Sequence, residues 1–185
     1  MRIIAGKFKG KKLNTPSEKN TKIRPTLDRI KEPMFSILMP YLKNAKVLDL
    51  FAGTGSLGLE AISRGASFVH LNDINKEALG VISSNIQLTV GSKYARISRK
   101  EYQKCLKSLS SNNEKFDIIF LDPPYELGYE ENCLKLISDY ELLSSDGVIV
   151  LESDKIKSFP ENVANFKQID KRTYGRVTLR LYSWR

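Results

Sequence analysis

The chain has 185 residues, 41% of them hydrophobic and 28% charged, with two cysteines and a formal net charge of +9. That length suits one domain with a buried core, and the composition excludes a disordered or fibrous chain. No apolar run reaches the length of a membrane span, and the opening "MRIIAGKFKGKK" is too charged for a signal peptide.

The charge is polarised along the chain. Residues 1–46 hold twelve Lys or Arg against three acids, whereas residues 47–185 hold eighteen of each. The first quarter is therefore a candidate phosphate-binding surface, with Arg2, Lys7, Lys9, Lys11 and Lys12 its leading contacts. "RIIAGKFKGKKL" carries turn-making glycines between short apolar pieces and predicts a small hairpin or an extended arm. "RPTLDRIKEPMFSILMPYL" predicts a helix capped by Thr26 and kinked or restarted at Pro33. We assign residues 1–45 to this basic extension and 46–185 to a catalytic domain.

From residue 46 strands and helices alternate. "KVLDLF", "SFVHLND", "ARIS", "FDIIFLD" and "GVIVLES" are short apolar strands, and the stretches between them carry helical stripes such as Tyr102, Cys105, Leu106 and Leu109. Gly65 sits where the first of these helices should stop. "FKQIDKRTYGRVTLRLYSW" predicts a hairpin turning at Tyr174-Gly175. The pattern predicts an α/β fold of Rossmann type, with a mostly parallel sheet, helices on both faces and a C-terminal antiparallel hairpin. Cys105 and Cys133 read as reduced core residues, which fits a cytoplasmic protein. No metal site is expected.

Two motifs carry chemistry. Gly53-Thr54-Gly55-Ser56-Leu57-Gly58 completes G-x-G-x-x-G between a strand and a helix, and Asp73 ends the next strand, where it can bind ribose hydroxyls. Nicotinamide, flavin and S-adenosylmethionine sites all use such a turn. Asp49 favours the last, because a carboxylate there suits an ammonium or sulfonium better than a pyrophosphate. It reads alternatively as a helix-capping or buried hydrogen-bonded acid. Glu101, after the third strand, is a candidate for an adenine amino group or a first-turn helix acid.

The second motif is "DPPY". Pro123 and Pro124 stiffen the turn after the fourth strand. Asp122 and a proline carbonyl can accept both hydrogens of an exocyclic amine, and Tyr125 can stack on an extruded base.

With these residues the chain resembles class I S-adenosylmethionine-dependent methyltransferases acting on exocyclic amines. "RIIAGKFKGKKL", "RPTLDRIKEPMF" and "YGRVTLRLY" are similar to segments of the bacterial family that modifies guanine N2 in small-subunit (16S) ribosomal RNA. The resemblance implies cofactor contacts from Asp49, Phe51, Gly53, Gly55, Asp73 and Glu101. It puts Asp122, Pro123 and Tyr125 at the target base, with Arg24, Thr26 and Arg29 beside the site. It implies ribosomal RNA or an assembling small subunit as partner, and a monomer is expected.

Rival readings differ in what they leave unused. A DNA adenine-N6 or cytosine-N4 methyltransferase would use "DPPY", but the chain lacks room for a large sequence-reading domain. An NAD-dependent oxidoreductase would leave Asp49 and "DPPY" idle, with His70 as its sole histidine. A non-enzymatic RNA-binding protein would not need all the motifs intact.

Overall fold

The computed structural model describes residues 1–16, 26–124 and 128–185, with the side chains of 26–29 outside the description. The sheet runs β1 (Lys46–Asp49), β2 (Phe68–Asn72), β3 (Ala95–Ser98), β4 (Phe116–Leu121), β5 (Leu143–Asp154), β6 (Asn162–Val163), β7 (Phe166–Tyr174) and β8 (Val177–Trp184). Its order is β3-β2-β1-β4-β5-β8-β7-β6. The first five strands are parallel, and β8, β7 and β6 continue the sheet antiparallel. Strands made almost wholly of Val, Ile, Leu and Phe are stable here because helices cover both faces.

One face packs under α1 (Thr26–Leu42), α2 (Ser56–Ser63) and α3 (Lys76–Leu88), which contribute Phe35, Leu59 and Ile82 to a core with Ile118 and Val150. The other packs under α4 (Tyr102–Ser111) and α5 (Glu130–Asp139) through Leu106, Leu134 and Ile137. Both cysteines are buried and unpaired with each other. After α2, Gly65 at φ 117° closes the stop the sequence predicts, with Ala66 N–H donating to Ala61 O at 3.0 Å.

Two local expectations change. Residues 1–13 form a hairpin, with Arg2 bridged to Lys12, and it is packed on the body. Its Ile3 and Leu13 join the same core as Ile30 and Phe35. The second concerns α1, which starts on Thr26 itself and continues through Pro33 and Pro40 as one helix. A proline removes one hydrogen bond, but Ile30, Met34, Phe35, Leu38 and Leu42 bury a full stripe, and that packing holds the helix together.

Candidate active site

Because β1, β2 and β4 are parallel, the chain leaves all three on one edge of the sheet. After β1 it turns through Gly53 and Gly55, at φ 55° and 77°, into α2. Ala52 N–H donates to Asn72 O (2.9 Å), and Gly53 N–H donates to Asp73 Oδ2 (2.8 Å). Asn75 N–H donates to the other oxygen of Asp73 at 2.9 Å. The glycine loop and the Asp73 carboxylate thus form one rigid piece.

Asp49 lies beneath the loop, 3% exposed, and its Oδ2 accepts from Gly58 N–H at 3.1 Å. Burial pushes its carboxyl up to about 7; the Gly58 bond offsets part of this, and nearby Asp73 adds to it. A carboxyl in this state is poised to ionise beside an incoming cation.

Asn72 ties the strand ends together. Its Nδ2 donates to Leu50 O (3.1 Å) and Lys100 O (3.0 Å), and its Oδ1 accepts from Ser98 Oγ at 2.7 Å. His70 Nε2 lies 2.8 Å from the same Ser98 hydroxyl. Burial, with help from Arg96, pushes the His70 imidazole down to about 4. The one histidine is a neutral interior group, which removes the acid–base candidate of an oxidoreductase.

Glu101 is exposed at the start of α4 and pairs with Lys104 at 3.2 Å. Phe51, half-buried, heads a run of rings: Phe51 to Tyr102 at 5.9 Å and Tyr102 to Tyr129 at 4.8 Å.

Beyond β4, Asp122 is half-buried, Pro123 buried and Pro124 exposed; Tyr125 lies outside the described residues. Where the chain resumes, the buried Glu130 at the head of α5 is clasped by Lys157 Nζ at 2.7 and 2.8 Å. The "DPPY" turn therefore runs between two fixed points, the end of β4 and the Glu130–Lys157 pair.

The basic hairpin stands beside this edge with Arg2, Lys7, Lys9, Lys11 and Lys12 all exposed. Arg24 and the side chains of Thr26 and Arg29 lie outside the described residues. The hairpin is held by α2. Glu60, fully buried, accepts from Ile4 N–H (2.8 Å), Ala5 N–H (3.0 Å) and Arg64 Nε (2.7 Å), and pairs with Lys31 Nζ at 3.1 Å. Burial raises the Glu60 carboxyl, but the Ile4 bond and these partners outweigh it, so the net shift is downward.

Lys31 Nζ also donates to Arg2 O and to Ser56 Oγ, both at 2.9 Å. Asn85 Nδ2 reaches Asn14 O (3.1 Å) and Thr54 O (2.9 Å). Two bridges thus run from the basic segment to the glycine loop. The sequence reading missed Glu60, Lys31, Asn85 and Lys157. Each joins residues far apart in the chain, and the one local signal was the i, i+4 spacing of Glu60 and Arg64.

Among the described residues no group of three or more His, Cys, Asp or Glu is placed to hold a metal ion, and no helix is long and apolar enough to cross a membrane.

The model of the family described as "Conserved hypothetical protein 95" matches residues 1–183. The "Ribosomal RNA small subunit methyltransferase D" of Haemophilus influenzae is 37% identical, covering 98% of this chain and 93% of that protein. The Escherichia coli protein of the same name is 32% identical, covering 98% and 89%. The solved structure of yhhF from Escherichia coli superposes with a TM-score of 0.85 at 31% identity, covering 100% of this chain and 97% of that one. The chain belongs to this family, and its sheet with its C-terminal hairpin is the family's methyltransferase fold.

Proposed function

We propose that the chain transfers a methyl group from S-adenosylmethionine to the exocyclic N2 of a guanine in small-subunit (16S) ribosomal RNA. The observation that carries this reading is Asp122-Pro123-Pro124 on the same sheet edge as the glycine loop. Its full-length relatives, named for small-subunit ribosomal RNA methylation, support the substrate class. The donor set suits the cofactor: Asp73 is held by the Gly53 N–H where ribose hydroxyls would lie, and Asp49 sits ready to ionise opposite positive charge.

When bound, S-adenosylmethionine supplies an electrophilic methyl on a sulfonium. Asp49, Phe51, Gly53, Gly55, Asp73 and Glu101 hold it. Asp122 and the Pro123 carbonyl accept the two N2 hydrogens, which turns the nitrogen lone pair out of conjugation toward the methyl carbon. Pro124 keeps the turn stiff, and Tyr125 stacks on the extruded base. The hairpin lysines, Arg2, Arg24, Thr26 and Arg29 hold RNA phosphates, with residues 1–45 as RNA-binding extension and 46–185 as catalytic domain. The enzyme works without metal, as a cytoplasmic monomer, on ribosomal RNA alone or within an assembling subunit.

Mass-spectrometric mapping of ribosomal RNA from cells with and without this gene tests the reading. One N2-methylguanosine of the small-subunit RNA should vanish with the gene, and an unchanged map would overturn the proposal. Asp122→Ala should abolish transfer while S-adenosylmethionine binding persists.

A further inference from the structure

Leu121 of β4 pairs in register with Leu151 of β5. The next residues, Asp122 and Glu152, therefore leave the sheet side by side, with backbones about 4.8 Å apart. Side chains alternate along strands. Ile118 and Phe120 with Val148 and Val150 face the α1 side, so Asp122 and Glu152 continue on that side. Glu152 pairs across with Leu179 of the same core and is 4% exposed. A carboxylate thus lies next to the proposed amine-binding acid, within a segment the sequence suggests only as a strand end.

From this position we infer that Glu152 is the group that selects guanine, by accepting its N1–H while Asp122 and Pro123 accept the N2 hydrogens. The inference rests on the function proposed above and deepens it. An ionised carboxylate only accepts, and its two oxygens have room for several donors, so the contacts Glu152 makes within the protein do not exhaust it. Guanine presents N1–H directly beside its exocyclic amine. Adenine and cytosine present a bare ring nitrogen there, and its lone pair would face the carboxylate. Away from water such a mismatch leaves acceptors unpaired, and sites of this kind discriminate strongly. The "DPPY" turn alone holds any of the three amines; a second acceptor beside it holds one.

The test uses 2,6-diaminopurine, which keeps the 2-amino group but has a bare N1. Short RNA substrates carry either guanosine or 2,6-diaminopurine at the position that mapping identifies. Wild-type enzyme should prefer guanosine by about a hundredfold or more in kcat/KM. Glu152→Gln offers an N–H to the bare N1, so that preference should fall by about tenfold or more while S-adenosylmethionine affinity stays unchanged. An equal loss on both substrates would assign Glu152 a purely structural role and overturn the inference. If Glu152→Gln does not fold, wild-type enzyme that methylates both RNAs equally well would overturn it alone. A mapped product other than N2-methylguanosine would instead fell the underlying reading, and this inference with it.

Discussion

The molecule has two β-hairpins, one near each end of the chain, and they are held in opposite ways. β7 and β8 pair from Phe166↔Trp184 to Tyr174↔Val177, and β8 is zipped to β5 from Ile149 to Asp154. The N-terminal hairpin has a single bridge of its own and no strand neighbour in the sheet. Its backbone is instead bound to side chains of α2: Ile4 and Ala5 to Glu60, and Phe8 to Ser63 Oγ at 2.9 Å. A ladder spreads its hold over many equivalent bonds. The N-terminal hairpin concentrates it in one carboxylate and one hydroxyl, so single substitutions should separate the two.

The largest effect is expected at Glu60. Glu60→Ala leaves Lys31 buried without its carboxylate and frees two hairpin N–H groups, a loss of about 3–5 kcal/mol. Thermal unfolding checks this, with the exposed ladder residue Lys171→Ala as the contrast, expected within about 0.5 kcal/mol of wild type. The double variant Glu60→Leu, Lys31→Met should lose less than Glu60→Ala, since no lone charge stays buried. Equal losses would mean that the charge is not what costs stability.

The turns give a smaller and sharper contrast. A Cβ on Gly6, at φ 80°, would stand 1.8 Å from the Ser63 carbonyl oxygen. One on Gly175, at φ 61°, would meet nothing within 4 Å. Gly175→Ala should cost about 1–2 kcal/mol from conformation alone. Gly6→Ala should cost more than that, and should also lift the hairpin off α2, read as faster exchange of the Lys7 and Phe8 amides. Equal costs with unchanged exchange would show that the hairpin is not seated by that contact.

Titration separates two groups at the strand ends. Asp49 is raised to about 7 in the fold, so its contribution is present at low pH and lost as pH rises from about 4 to 7. His70 is lowered to about 4, so its contribution is present above about pH 6.5 and lost as pH falls to 4. The two slopes oppose one another. Asp49→Asn should therefore leave stability rising with pH over this window, and His70→Asn should leave it falling. On the proposed reading, S-adenosylmethionine affinity rises with pH through about 7, and Asp49→Asn flattens that rise. A rise that survives in the variant would take Asp49 away from the cofactor.

The smallest effect on the fold comes from the hairpin's exposed face. Neutralising Lys7, Lys9, Lys11 and Lys12 should shift stability by less than about 0.5 kcal/mol per site. The same change should flatten the salt dependence of RNA binding, its logarithmic slope falling by about 0.7–0.9 for each phosphate no longer neutralised. An unchanged slope would move the phosphate surface elsewhere.

What the sequence made legible follows from range. Every strand of the parallel half was readable because its apolar residues are contiguous, and the glycine loop because strand, turn and helix are consecutive. Pro33 misled, since a local rule about one missing donor could not weigh the buried stripe from Ile30 to Leu42. Asp49 was read for its charge, whereas the fold also shows its bond to Gly58. Lys31, Glu60, Asn85 and Glu152 carried no signal, because each gains its meaning from a neighbour brought close only by the fold.

The sheet order also dictates a schedule for synthesis. β8 lies between β5 and β7, although it is made after both. While the ribosome is still adding residues 177–184, β5 has β4 on one side and an open row of backbone donors and acceptors on the other. Open strand edges invite pairing with other chains. A chain interrupted at residue 176 would keep the glycine loop, Asp122 and the whole parallel sheet, yet present β5 as a sticky border.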